Sequence, residues 1–400
     1  QKTAYEIVSR DWSSDVCSSD LEKYPSLISA AAPMCVADNL PAELTMAGDF
    51  LWGLKTLFDP TIKGGNYSAG AAGNLEAVGD IVKILTVMGK LQAGISTGKW
   101  PDTSSATGKS LEAAGIPVRS ALLLLGLMAG LPTQSAHFDS ISGPEGALKL
   151  SFPLAVSPAL AILENGTNGA ILAVLGTQDA ELQAGGAIYD NTKTDYAARI
   201  EGERVIFNAA LSGNTAIDGM LAALSPANPG APRAVGNKDA MAKLLTLHSN
   251  SGKINVPTVL MVGTADPITP AGASQRIVDA YANQFAAEKE AAFKAYTSSK
   301  VYKAPVNKLV MAWSKTPTSW TKFDKTTGAP LTSGVAAAPG TNHCNFTSAQ
   351  LLFVAKTLVS AVNNDGKLPS GGPLVSAARK AGLSIDREYR APLLKFYGEQ

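Results

Sequence analysis

Apolar residues recur at helical spacing through the first third of the chain. Met46, Phe50, Leu54, Leu57 and Phe58 share one face of a helix predicted over 42–58, which Asp59-Pro60 ends. Leu75–Ala93 predicts a second helix and Asp102–Lys109 a polar break. Leu111–Leu131 holds a strongly apolar helix interrupted at Pro117. Its run from Ala121 to Leu131 reads as buried, because no apolar stretch reaches the ~20 residues that span a bilayer. Residues 132–236 mix short apolar helices with Gly, Pro and Asn breaks.

The pattern then changes period. A helix over Lys238–Thr246 leads into Thr258–Gly263 (TVLMVG), a dense β-branched run and the strongest strand signal in the chain. Helices follow over 269–282 and 288–296, a strand over 308–314 and a helix over 348–362. Near the start, Pro25 stops a helix and Leu27–Val36 reads as a short buried strand. These elements predict an α/β core, 22–41 and 237–400, interrupted by a helical insertion over 42–236.

Composition changes this picture at one end. The chain has 400 residues, is 46% hydrophobic and 17% charged, and carries a formal net charge of +1. Near-neutral charge argues against a nucleic-acid binder. Asp11–Leu21 (DWSSDVCSSDL) resembles the in-frame translation of a common short-read sequencing-library adaptor, and Gln1–Ile7 fits the other end of that adaptor. Residues 1–21 are therefore read as an artefact and left out of fold reasoning. The remaining 379 residues hold 32 basic and 29 acidic groups, net +3, and two cysteines, Cys35 and Cys344. On this reading the native segment before Glu22 is missing, and any signal peptide with it.

Two segments carry the chemistry, VPTVLMVGTADPITP (256–270) and PGTNHCNFTSAQLL (339–352). Asp266 follows the strongest strand, and functional groups in open α/β sheets cluster at the carboxyl ends of strands. His343 precedes a helix. A carboxylate that orients an imidazole makes it a general base. Taken alone, Asp266 could be a turn or cap residue, and His343 a loop hydrogen-bonder. The chain has three histidines, however; His137 lies in the insertion and His248 at a helix end, so a His-dependent enzyme has few choices.

The strand–Gly–x–x–Asp–x–x–Thr–Pro pattern, followed by His, resembles the α/β-hydrolase superfamily, whose triad runs Ser…Asp/Glu…His. Over 22 to about 397 the chain is similar to large, often secreted bacterial hydrolases with a helical cap. The residues that carry the likeness are Pro33-Met34-Cys35, Asp49–Asp59, Gly185-Gly186, Asn191-Thr192, Asp195-Tyr196 and His343–Thr347. The resemblance implies an α/β-hydrolase fold with an incomplete parallel sheet, the cap over 42–236, and Asp266 and His343 as triad members. Asn342 stands where that group usually has Gly, and the 77-residue separation of acid and base is long for the fold.

No Gly-x-Ser-x-Gly elbow precedes Asp266 in a strand-to-helix context. The nearest segment is Asn66-Tyr67-Ser68-Ala69-Gly70, with Asn in place of Gly and no strand before it, so Ser68 is a weak nucleophile candidate. The nucleophile is expected upstream of Glu22, and the chain itself is expected to be inactive. The resemblance further implies an exported enzyme, extracellular or periplasmic. Cys344 beside the candidate base and Cys35 at the end of the early strand are a candidate disulfide; the resemblance to tannases and feruloyl esterases implies instead a bridge from the Cys beside His to one beside the upstream Ser, and free buried thiols are the third reading. Asn191, Asp195 and Tyr196 become candidate substrate contacts or a turn packed within the cap. No metal or cofactor motif is visible. The expected partner is a small ester. An aminopeptidase with an acidic subsite from Asp190, Asp195 or Glu181 is the alternative, and a non-catalytic binding protein on the same scaffold a third.

Overall fold

A computed structural model describes residues 22, 24–38, 40–144, 155–209, 213–248 and 251–396, so the adaptor-like residues 1–21 lie outside it. Contacts divide the chain into two units: a helical one, Pro41–Leu247 and Pro317–Asn342 with Leu394 onward, and a sheet unit made of the residues up to Leu40, His248–Thr316 and His343–Leu393.

The helical unit starts with α1 (Leu40–Leu57), which buries almost its whole length. A loop then leads to α2 (Ala71–Thr97). The second half of the stretch expected to be a polar break begins α3 (Ala106–Ala113), because the Ser105 side chain accepts the Gly108 N–H and caps it. Next come α4 (Val118–Ala129) and α5 (Ser157–Ala184). Leu122–Leu125 have no exposed surface, which makes α4 a central helix covered on all sides. Its neighbours are α2 and α5. Close approach depends on two glycines. A Cβ on Gly126 would lie 2.3 Å from Ile162 Cδ1, and one on Gly166 2.5 Å from Phe50 Cζ. By length and composition α5 could cross a membrane, and half of its apolar window is buried within this unit. A search for an uninterrupted run misses it, because Glu164, Asn165 and Asn168 break the sequence. Shorter helices complete the unit: α6 (Tyr196–Ile200), α7 (Arg204–Ala209), α8 (Gly213–Ala223) and α9 (Lys238–His248).

Residues 317–342, assigned to the core from sequence, group with the helical unit instead. Asp139 explains this. Its carboxylate accepts the backbone N–H groups of Trp320 (2.7 Å) and Thr321 (2.8 Å) as well as those of Ile141 (2.9 Å) and Ser142 (2.7 Å). Phe323 joins the helical core, and Ala338 N–H bonds Ala136 O at 2.9 Å.

In the sheet unit, β1 (Thr258–Gly263) pairs in parallel with β2 (Leu309–Ser314), from Thr258 opposite Leu309 to Gly263 opposite Ser314. The segment expected as a strand over 27–36 contributes two parallel bridges, Ala31 to Thr258 and Met34 to Met261, on the other side of β1. Pro33 explains why the ladder stays short, since it has no N–H to donate. Trp313 makes an antiparallel bridge to Ser384. The two helices expected over 269–296 are one, α10 (Ala271–Ser299), entered at Pro270. The unit closes with α11 (Ser348–Val362) and α12 (Gly371–Lys380), the latter unexpected in a Gly- and Pro-punctuated tail.

Candidate active site

Gly263 ends β1 fully inside the core, and the chain turns sharply there, Asp266 N–H reaching back to Gly263 O at 3.4 Å. That turn leaves the Asp266 side chain 1% exposed. A buried carboxylate must have its oxygens satisfied. Oδ1 accepts the N–H groups of Ile268 (2.8 Å) and Thr269 (3.0 Å), and Oδ2 the Thr269 hydroxyl (3.2 Å). These donors leave Oδ2 directed at one further partner, His343 Nδ1, at 3.1 Å, with Oδ1 at 3.4 Å.

An ionised carboxylate can only accept, so the Nδ1 position carries the proton and donates it. Nε2 is then left with its lone pair directed away from Asp266. Thr269 Oγ1 lies 3.3 Å from Nδ1 and accepts a share of the same N–H while donating to Asp266. Thr269 thus locks the acid and the ring together. In sequence Thr269 is only part of the Asp-x-x-Thr-Pro pattern; its place three residues after an Asp that turns the chain through the Ile268 N–H is the signal that singles it out.

The loop bearing His343 is shaped by left-handed backbone on both sides, Asn342 at φ 61° and Cys344 at φ 52°. Asn tolerates that region better than other side-chain-bearing residues, which accounts for Asn at position 342. Beyond it, Thr347 and Gln350 form a reciprocal capping box that starts α11. Gln350 Nε2 also reaches Ser314 Oγ at 3.1 Å, so the same residue ties the His loop to the end of β2. Thr264 N–H bonds Ser314 O at 3.0 Å and fixes the Asp266 loop to that strand end too.

Cys344 is bonded to Cys35, with the Cα atoms 5.6 Å apart. Cys35 follows the Met34 bridge and is itself left-handed, at φ 49°. The disulfide thereby fastens the His343 loop to the carboxyl end of the row beside β1. His343, Asp266 and the disulfide all sit at the carboxyl end of the parallel strands, where functional groups in such sheets cluster. The His343 side chain is 35% exposed, and Nε2 faces the Cys344 sulfur at 3.6 Å. Among the described residues, no serine hydroxyl bonds Nε2.

Ser68 belongs to the other unit. It lies on the exposed loop before α2, and no strand leads into it. Its hydroxyl donates to Glu76 Oε1 at 3.0 Å, and its N–H to Glu76 Oε2 at 2.8 Å. Lys63 and these Ser68 donors hold the Glu76 carboxyl down at about 2, too acidic for a useful general base. The elbow geometry that a nucleophile needs is absent at this position.

The candidate contact residues of the helical unit also find internal partners. Tyr196 and Tyr189 both donate their hydroxyls to Asp49 Oδ1, at 2.6 and 2.7 Å, and Arg199 pairs with Asp49 Oδ2. Asn191 donates to the Tyr196 hydroxyl at 2.9 Å and accepts Ala234 N–H at 2.7 Å. Burial pushes the Asp49 carboxyl up, opposed by Arg199 and the two phenols. Asp195 caps α6 through Ala198 N–H. Asn191 and Tyr196 are 1% and 3% exposed, so they form a packed turn and not a substrate-lined surface. His137 instead bonds Glu164 at 2.6 Å within the helical unit, and the His248 side chain lies outside what is described.

No protein-family model, curated protein or solved structure matches this chain. Its function therefore rests on the geometry.

Proposed function

We propose that the sheet unit is the acid–base half of a serine hydrolase of the α/β-hydrolase type, acting on carboxylic esters. The observation that carries this reading is the buried Asp266 on Nδ1 of a part-exposed His343, at the carboxyl edge of parallel strands, with Nε2 left as an acceptor. That asymmetry is what proton transfer at Nε2 requires. A general base needs it, because Nε2 must take a proton and hand it to the leaving alcohol while the carboxylate stabilises the imidazolium.

In this reading a serine hydroxyl attacks the ester carbonyl and His343 Nε2 receives its proton. Asp266 and Thr269 hold the ring through both steps. The serine and its strand-to-helix turn precede Glu22 in chain order, and the adaptor-like residues 1–21 are not native. The helical unit is the cap insertion. The disulfide beside the base suits an oxidising, exported setting. The peptidase alternative lacks support. Glu181 is occupied by Asn66 and Tyr67 N–H groups, Asp190 by Thr192 and Gly236 N–H groups, and Asp195 by its helix.

The test joins residues 22–400 to their native upstream coding sequence and measures hydrolysis of short-chain p-nitrophenyl esters. The expected result is turnover that falls about 10⁴-fold in Asp266→Asn, with a further loss in His343→Ala. Turnover by the present chain that disappears in Ser68→Ala would overturn the assignment of the nucleophile.

A further inference from the structure

The same corner holds a second arrangement. Cys35 Sγ, Cys344 Sγ and His343 Nε2 lie within 4.8 Å of one another. With the sulfurs bonded to each other there is no room for a ligand, but reduction changes the chemistry. Two thiolates and an imidazole nitrogen are the donor set of a soft or borderline d¹⁰ cation.

Distances fit such an ion. With Zn–S near 2.3 Å and Zn–N near 2.0 Å, the sulfur–nitrogen edge of a tetrahedral site is about 3.5 Å. Cys344 Sγ already stands 3.6 Å from Nε2. A sulfur–sulfur edge of about 3.8 Å is reached by side-chain rotation across the 5.6 Å between the Cα atoms.

The Asp266 contact at Nδ1 also suits a ligand at Nε2. Metal-bound histidines almost always donate their other nitrogen to a carboxylate or carbonyl, which fixes the tautomer and raises basicity. Asp266 does this at Nδ1, from a fully buried position with Thr269 bracing both groups. Cys35 is buried, whereas Cys344 and His343 are exposed, so an ion can enter from the solvent side and keep water as its fourth ligand.

We propose that reduction of the Cys35–Cys344 disulfide converts this corner into a Cys₂His site for a thiophilic divalent cation such as Zn²⁺. A two-electron reductant, a dithiol that becomes its own disulfide, breaks the sulfur–sulfur bond and supplies two electrons and two protons. Each thiol then gives up its proton as the ion binds, so two protons are released per cation. The ion occupies the nitrogen that the hydrolase reading assigns to proton abstraction. Inhibition by the ion therefore rests on that reading, whereas binding does not.

The experiment uses Co²⁺ as a spectroscopic probe on the full chain, reduced with a water-soluble phosphine and desalted without oxygen. The reduced protein is expected to show sulfur-to-cobalt charge transfer in the near ultraviolet and tetrahedral d–d bands, saturating at about one ion per chain. The oxidised protein should show neither. His343→Gln retains both cysteines and should lose at least tenfold in affinity with altered d–d bands. Asp266→Asn should weaken binding by about 10–100-fold. A reduced chain with native far-ultraviolet dichroism and no charge-transfer band would overturn the proposal. So would an unchanged spectrum and affinity in His343→Gln, or a reduced chain that unfolds and that the ion does not restore. None of these readouts requires ester hydrolysis, so failure here leaves the hydrolase reading standing.

Discussion

Asp139→Asn isolates the group that fastens residues 317–342 to the helical unit. The wild-type carboxylate has no exposed surface and accepts from the N–H groups of Ile141, Ser142, Trp320 and Thr321. The Ser142 and Thr321 hydroxyls add contacts at 2.8 and 2.9 Å. Asparagine keeps one oxygen and turns the other into a donor, so two backbone N–H groups lose their acceptor. Each orphaned buried donor costs about 1–3 kcal/mol. A second route gives the order of magnitude. Burial pushes the Asp139 carboxyl up, but the N–H groups of Thr321, Ile141 and Trp320 and the Ser142 hydroxyl outweigh it and hold it at about 2. Against an unfolded value near 3.9, this preference for the ionised form is worth about 2.5 kcal/mol.

The two routes together place the cost of Asp139→Asn at about 3–4 kcal/mol at pH 7. The sign with pH follows from a depressed carboxyl. The stabilisation is complete above about pH 4 and is lost as pH falls through about 2, so wild type and variant should converge in acid. Amide exchange at Trp320 and Thr321 reads the effect locally, with protection expected to fall roughly 10²-fold at pH 7. Urea unfolding at pH 7 and pH 2 reads it in the whole unit. A loss under about 1 kcal/mol at pH 7, or a difference that stays constant with pH, would refute the reasoning.

Three further outcomes follow from packing and charge. Gly126→Ala should destabilise by about 1–3 kcal/mol, because overpacking against Ile162 outweighs the helix-propensity gain, whereas Gly89→Ala, on α2 with nothing within 4 Å, should stabilise by about 0.5–1 kcal/mol; thermal melts decide both. Asp49→Ala leaves Arg199 buried without its carboxylate and two phenols without an acceptor, at about 3–5 kcal/mol by urea unfolding, while Asp49→Ala/Arg199→Met should recover part of that loss. Asn342→Gly should preserve the His343 loop, and Asn342→Val should strain it, measured as a shift or loss of the His343 Nδ1 proton resonance.

The parts legible in the sequence were those written locally. Thr258–Gly263 and Ser348–Val362 have the predicted bounds, the first from its β-branched run; the Thr347/Gln350 capping box that starts the second is visible in the structure. Ser105 was an equally local signal for α3 and was submerged in a polar composition. What was not legible depends on distant pairs. Residues 317–342 leave the sheet unit because Asp139, more than 180 positions away, supplies acceptors for their amides. Asn191 and Tyr196 left substrate contact and a packed turn both open until Asp49, 147 positions before Tyr196, takes the Tyr196 hydroxyl, on which Asn191 in turn rests. At the candidate site Asp266 and His343 could be named from motif context. Thr269 as a brace, and the left-handed pair Asn342 and Cys344, required coordinates.

Labelling with a fluorophosphonate tests the central claim most directly. The chain extended by its native upstream sequence is treated with the reagent and analysed by intact mass and peptide mapping. The account predicts one phosphonylated serine per chain, upstream of Glu22, with a labelling rate that collapses in His343→Ala and drops in Asp266→Asn. Labelling that is absent from the folded extended chain, or unaffected by loss of His343, would contradict it.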